Sequence, residues 1–228
     1  MARFTRIQVA QKMAEQGMVP LFYHADLEVC KMVVSACYRG GARLLEFTNR
    51  GDYAHEVFGA LNKYCQRELP EMIVGVGSVI DAGTAALYLQ LGSNFVVSAA
   101  LRKELALTCN RRKVLYSPGC GSLTEIGQAE ELGCEVVKLF PGSIYSPQFI
   151  KAIRGPQPWT SVMPTSGVSP DFGNLQAWFD AGAYCVGMGS KLMVKDESGN
   201  FDLSGIEKKT RQALAFIQEI RGKRTLSL

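Results

Sequence analysis

Between Met18 and Met188, short apolar runs alternate with helix-patterned stretches, and the alternation repeats eight times. Met18-Val19-Pro20-Leu21-Phe22-Tyr23 reads as the first strand and Ala42 to Thr48 as the second. Between them, Asp26 is placed to cap a helix carrying Val29, Met32, Val33 and Ala36, which Gly40-Gly41 ends. The unit then recurs, with strands expected at 72–78, 94–98, 113–117, 135–140, 160–165 and 183–188. The helices between and after them are expected at 53–68, 83–91, 101–110, 122–132, 145–153, 171–181 and about 204–221. Gly41-Ala42, Gly133-Cys134 and Gly182-Ala183 give the helix-stop-then-strand punctuation of such units. Alternation this regular predicts a single parallel sheet, and eight repeats predict that it closes into a (β/α)8 TIM barrel. An additional N-terminal helix is expected over 5–16, with Ile7, Val9, Ala10 and Met13 on one side and Gly17 as its stop. A doubly wound open sheet is the weaker alternative. No Gly-x-Gly-x-x-Gly follows the first strand, and Gly75-Val76-Gly77 lies inside the third without the right spacing. Residues 1–228 read as one domain.

Composition narrows the function classes. Hydrophobic residues make up 47% and charged residues 20%, enough apolar material for a large core. A net charge of +4 is mild, and Arg111-Arg112-Lys113 and Arg221-Gly222-Lys223-Arg224 read as a solvated turn and a tail rather than a nucleic-acid footprint. No apolar run is long enough to span a membrane, and Met1 to Gln16 is too polar for a signal peptide. The seven cysteines are scattered without a C-x-x-C pair, and His24 and His55 are too few and too distant for a zinc site. Reduced thiols packed as small hydrophobes in a cytoplasmic protein, with no metal, are the expectation.

In such a barrel, chemistry sits at the C-terminal strand ends. The second strand offers Leu44-Leu45-Glu46-Phe47-Thr48-Asn49-Arg50. Alternation puts Leu44, Glu46 and Thr48 on one face and the apolar pair Leu45 and Phe47 on the other. The apolar pair suits the helices, so Glu46 points inward with Arg50 just above it. The sixth strand places Val136, Lys138 and Phe140 on one face, so Lys138 also looks inward. A buried Glu46–Arg50 or Glu46–Lys138 ion pair that only holds the strands together is the competing account. The third strand ends in Gly75-Val76-Gly77-Ser78, where something must approach the backbone closely. Glycine-rich turns at Met163-Pro164-Thr165-Ser166-Gly167 and Gly187-Met188-Gly189-Ser190 expose backbone N–H groups suited to a phosphate.

A lysine, a glutamate and an arginine beside such a cradle suggest covalent amine chemistry. Lysine is nucleophilic only as the neutral amine, a form favoured by an apolar pocket (Val136, Phe140) and a neighbouring cation (Arg50). A glutamate within reach can shuttle protons, and an arginine can grip a carboxylate with two hydrogen bonds. That set describes a Schiff-base aldolase acting on a 2-oxo acid.

The motifs resemble those of the class I aldolases that cleave 2-keto-3-deoxy-6-phosphogluconate (KDPG) and 4-hydroxy-2-oxoglutarate (KHG). The likeness runs from about Pro20 to Lys191. It includes Leu45-Glu46-Phe47-Thr48-Asn49-Arg50-Gly51, Val74-Gly75-Val76-Gly77-Ser78-Val79 and Pro118-Gly119-Cys120-Gly121-Ser122-Leu123-Thr124-Glu125. Val137-Lys138-Leu139-Phe140-Pro141, Pro164-Thr165-Ser166-Gly167-Val168 and Val186-Gly187-Met188-Gly189-Ser190 complete it. The resemblance implies that Lys138 forms the Schiff base and that Glu46 is the acid/base. It implies that Arg50 and Ser78 (where the family usually has threonine) bind the carboxylate, with Thr165 nearby. Backbone N–H groups around Ser166-Gly167 and Gly189-Ser190 would hold a terminal phosphate. It further implies a homotrimer with no metal or organic cofactor.

Two departures stand out. Ser98-Ala99-Ala100 replaces the family's Ser-Pro-Gly, which is expected to loosen a loop bordering the substrate. Ser166-Gly167 replaces Gly-Gly and adds a side chain where phosphate should meet bare backbone. The expected activity is release of pyruvate and an aldehyde from a 4-hydroxy-2-oxo acid, with a phosphorylated substrate favoured. A sugar-phosphate isomerase or epimerase, or a non-catalytic sugar-phosphate-binding barrel, is the alternative.

Overall fold

The computed structural model describes residues 1–225, with side chains to Gly222. Helix α1 (Arg6–Gln16) precedes β1 (Met18–Phe22), α2 (Leu27–Arg39), β2 (Leu44–Thr48), α3 (Ala54–Glu68) and β3 (Ile73–Gly77). Then come α4 (Ala82–Gln90), β4 (Phe95–Val97), α5 (Lys103–Arg111), β5 (Leu115–Ser117), β6 (Gly119–Cys120) and α6 (Leu123–Glu131). The chain continues through β7 (Val137–Leu139), α7 (Gly142–Arg154), β8 (Val162–Pro164), α8 (Phe172–Asp180), β9 (Val186–Met188) and α9 (Leu203–Thr225). Helix starts follow local chemistry. Thr5 and Gln8 form a reciprocal capping box on α1, and the Asp26 carboxylate accepts from the Glu28 and Val29 amides of α2.

All strand pairs are parallel, in the order β5-β4-β3-β2-β1-β9 in one sheet and β6-β7-β8 in the other. The strand expected at 113–117 appears as β5, and a further short strand, β6, follows it beyond Pro118. Proline has no N–H for a ladder, but its carbonyl still accepts from the Lys138 amide at 2.8 Å. Thr165, just past β8, makes a parallel bridge to Gly187 of β9.

The sheet is curled, and the buried side chains show it. One cluster joins Val19, Leu44, Ile73, Phe95, Val97, Leu115, Val136, Met163 and Cys185 with Val9 and Met13 of α1. These residues come from along the whole six-stranded sheet, from β5 to the start of β9, and from β7 and β8 of the other, which flat sheets would hold apart. The intervening strand residues, among them Leu45, Phe47, Val74, Val76, Val137 and Leu139, belong to a larger core that they share with the helices. Among the described residues, no helix is long and apolar enough to cross a membrane. All seven cysteines are free and buried, and burial pushes each thiol up to about 12.

Several local expectations need correction. Ile7 and Met32, assigned to buried helix faces, are exposed. Each lies at the margin of its apolar stripe, where the neighbouring element does not reach. The helix expected at 145–153 begins at Gly142 and is broken at Ser146 (φ 59°, ψ 164°), because Pro147 forces the residue before it out of helical geometry. Arg221, read as part of a tail, lies in α9. It donates to the carbonyls of Ala14, Glu15 and Tyr184 and stacks on Phe179. The side chains of Lys223 and Arg224 lie outside the described residues.

Met13 is fully buried between α1 and the strands, so Met13→Ala should lower the free energy of unfolding by about 2–5 kcal/mol in a urea titration. Ile7→Ala on the same helix, at a 65% exposed position, should change it by less than about 0.5 kcal/mol.

Candidate active site

Glu46 and Lys138 reach the same interior from different strands. On β2, Glu46 follows Leu44 of the enclosed cluster, while Leu45 and Phe47 face the helices. Glu46 pairs in register with Leu21 on one side and Gly75 on the other. Its carboxylate lies across Gly77, where a Cβ would overlap it, so only glycine leaves the space. On β7, Lys138 stands between Gly119 and Met163 in register, with Val136 before it in the enclosed cluster. Its Nζ lies 4.8 Å from the centroid of the Phe140 ring, a cation–π contact made by the next residue on the same face.

Both groups are buried, Glu46 at 1% and Lys138 at 6% exposure. Burial raises the Glu46 carboxyl above its ordinary value near 4.5, while the charges of Lys138 and Arg50 pull it back down. Glu46 Oε2 has no hydrogen-bond partner. None of the ion pairs among the described residues includes Glu46, so the alternative of a direct structural Glu46–Arg50 or Glu46–Lys138 bridge is not realised. The carboxyl is close enough to feel both cations and is bonded to neither.

Arg50 follows β2, and its Nε donates to Ser78 Oγ at 3.4 Å. The loop carrying it is tied down by Asn49, whose amide donates to the Gly77 carbonyl at 2.8 Å and whose Oδ1 accepts from the Tyr88 hydroxyl at 2.8 Å. Ser78, directly after β3, has φ 58°, a left-handed conformation that is strained for a serine.

Arg50 also lines a cavity of about 650 Å³, together with Phe140, Thr165, Ser166, Gly167, Gly189 and Ser190. Glu46, Lys138 and Ser78 are not part of its wall. Seven of the expected site positions are thus brought together at or beside one opening, and the ionisable pair is buried. Thr165 is buried, and its Oγ1 is unpartnered. Ser166 adopts φ 75°, and its hydroxyl donates to Ser143 Oγ at 3.0 Å, so the added side chain is bonded to the first turn of α7. Gly167 (φ 74°) presses so closely on Ser143 that a Cβ would crowd that backbone.

Sequence reasoning missed three polar residues of this wall: Ser169, Asn174 and Lys191. The Asn174 side chain bridges the loop, donating to the Gly167 carbonyl at 3.1 Å and accepting from the Ser169 amide at 2.9 Å. Lys191 directly follows Gly189-Ser190, and that adjacency was the available signal. At Ser98-Ala99-Ala100, Ser98 Oγ lies 2.6 Å from the Tyr116 hydroxyl and donates to the Ala100 carbonyl at 2.7 Å, two bonds that tie the loop to β5 and to itself.

The chain matches the family model described as KDPG and KHG aldolase over residues 9–208. It is 32% identical over 154 residues to the 2-dehydro-3-deoxy-6-phosphogalactonate aldolase of Escherichia coli K12, covering 65% of this chain and 69% of that enzyme. It is 30% identical to the 2-dehydro-3-deoxy-phosphogluconate aldolase of Pseudoalteromonas atlantica, covering 90% of this chain and 94% of the other. Its fold is similar to that of the KDPG aldolase of Legionella pneumophila with pyruvate captured as a covalent carbinolamine. There the TM-score is 0.81 at 24% identity, over 90% of this chain and 98% of that one.

The raised Glu46 carboxyl has a consequence for stability. Between its unfolded value and its higher folded value, the folded protein holds the extra proton, so this group's contribution to stability falls as pH rises through that window. Glu46→Gln removes the dependence. Relative to the parent protein, the variant should gain up to about 1.4 kcal/mol per pH unit within the window, measured by urea unfolding at pH values rising from the ordinary carboxyl value.

Proposed function

The chain belongs to the KDPG and KHG aldolase family, and from this we propose that Lys138 is the amine that forms the Schiff base and Glu46 the group that moves the protons. The protein is a lyase that splits a carbon–carbon bond of a 4-hydroxy-2-oxo acid. The observation that carries the residue assignment is the buried Glu46 carboxyl, its Oε2 without a hydrogen-bond partner, within electrostatic reach of a buried lysine.

The cycle follows from those two groups. Neutral Lys138 Nζ attacks the 2-oxo carbon to give a carbinolamine. Glu46 donates a proton to its oxygen, water departs, and the protonated imine becomes an electron sink. The Glu46 carboxylate then takes the proton of the C4 hydroxyl, the C3–C4 bond breaks, and the aldehyde leaves. The remaining enamine is protonated at C3 by Glu46, and hydrolysis releases pyruvate and the free lysine. A carboxyl raised by burial and pulled back down by two neighbouring cations suits a group that acts alternately as acid and base.

Arg50, with Ser78 Oγ beside its guanidinium, is assigned to the substrate carboxylate, and Thr165 to the same end of the substrate. The backbone at Ser166-Gly167 and Gly189-Ser190 is assigned to a terminal phosphate, in keeping with the glycine-rich turns there. We read the two sheets as one (β/α)8 barrel with α1 as its additional N-terminal helix. The Thr165–Gly187 bridge and the continuity of the chain through Pro118 support that reading. The resemblance further supports a single domain acting as a homotrimer. The two relatives are named for acids that are epimers, so both epimeric substrates belong in any assay.

Incubation with pyruvate followed by borohydride should leave a reduced adduct on Lys138, located by peptide mass. Lys138→Ala should abolish both the adduct and turnover while the protein remains folded. A folded parent protein that takes no adduct would sink the assignment and favour an isomerase using the same pair as plain acid and base.

A further inference from the structure

Glu46 and Thr165 are not the only strand residues with an orphaned polar atom. Ser117, the last residue of β5, is fully buried, and its Oγ has no hydrogen-bond partner. It faces the enclosed side of the sheet, two residues after Leu115 of the enclosed cluster, while Tyr116 between them packs with the helices. A hydroxyl so placed is costly unless something bonds to it, and such groups usually hold a water or a ligand atom. The neighbouring hydroxyl of Ser98 is satisfied, its Oγ bonding Tyr116 and Ala100.

The register gives Ser117 its meaning. Val97 pairs with Ser117, and Val76 pairs with Val96, which sets Val97 beside Gly77, the residue under the Glu46 carboxylate. Two residues beyond Ser117, Gly119 pairs with Lys138. Along this arc of strands from the carboxylate to the lysine, the intervening inward side chains are Val97 and Ser117. Only Ser117 can hydrogen-bond.

We propose that Ser117 is a positioning residue whose hydroxyl holds the water molecule exchanged at the Lys138 imine. When the carbinolamine collapses, its hydroxyl takes the proton of Glu46, the C–O bond breaks, and the departing water is received by Ser117 Oγ. In hydrolysis the same water adds to the imine carbon as its proton passes to the Glu46 carboxylate. Glu46 then passes that proton to the nitrogen and takes the hydroxyl proton as the C–N bond breaks, leaving the 2-oxo acid and the neutral amine. The inference rests on the assignment of Lys138 as the imine-forming residue.

The test is rapid mixing of pyruvate with the parent protein and with Ser117→Ala, quenching with borohydride at increasing times, and measuring the adduct on Lys138. Ser117→Ala should slow adduct formation on the order of tenfold, the worth of one hydrogen bond in a barrier, with a smaller change in the pyruvate concentration giving half-saturation. Its melting temperature should not fall, because the hydroxyl it loses is unbonded. Ser117→Thr should restore the rate and Ser117→Val, of the same shape without the hydroxyl, should not. This pair decides the matter if the alanine variant folds poorly. A normal trapping rate in Ser117→Ala, or equal rates in the threonine and valine variants, overturns the role of Ser117 and leaves the imine assignment standing. Absence of any adduct in the parent protein overturns both.

Discussion

A carboxyl group held inside a curled sheet of apolar strands is unfavourable unless its surroundings are arranged for it, and much of this structure is that arrangement. Glu46 has lost its solvent, and neither Lys138 nor Arg50 bonds to it directly; their charges offset only part of that loss. The requirement spreads outward. Gly77 is glycine because the carboxylate occupies the space of its side chain, and Asn49 and Tyr88 hold the segment that carries Arg50. The strand residues on the helix side, Leu45 and Phe47, can be wholly apolar because the polar obligations fall on the other face.

The mouth of the site follows a different logic. Its walls come from the ends of β8 and β9 and the turns after them, where backbone geometry matters more than side-chain charge. Ser78 and Ser166 both occupy left-handed conformations that glycine would adopt without strain. Each hydroxyl has a partner at the site, Arg50 for Ser78 and Ser143 for Ser166. Strain held in place by such bonds is characteristic of segments that must present atoms in a fixed direction. The interior pair and the mouth are therefore separable parts.

Period-two alternation in Leu44 to Thr48 and in Val136 to Phe140 was enough to place Glu46 and Lys138 on inward faces. A strand offers only two faces, and the apolar residues choose one. Regular spacing of strands and helices, with glycines at their junctions, was enough for the parallel α/β order. The exposure of Ile7 and Met32 was not legible, because a helical stripe shows which face is apolar but not how far the neighbouring element extends over it. The break at Ser146 was visible in principle from Pro147, and the separation of β5 from β6 from Pro118.

What the sequence determined by itself was the inventory and its order: which residues could do chemistry, on which strands, and at which ends. Those properties depend on the nearest few neighbours along the chain. Only the tertiary structure decided that Glu46 keeps an unbonded oxygen, that its carboxylate lies over Gly77, that Ser98 pins its own loop through Tyr116, and that Ser117 lies on the arc between glutamate and lysine. Each of these is a distance between residues far apart in the chain. Such distances are set by strand register and by the curl of the sheet, which no local pattern encodes.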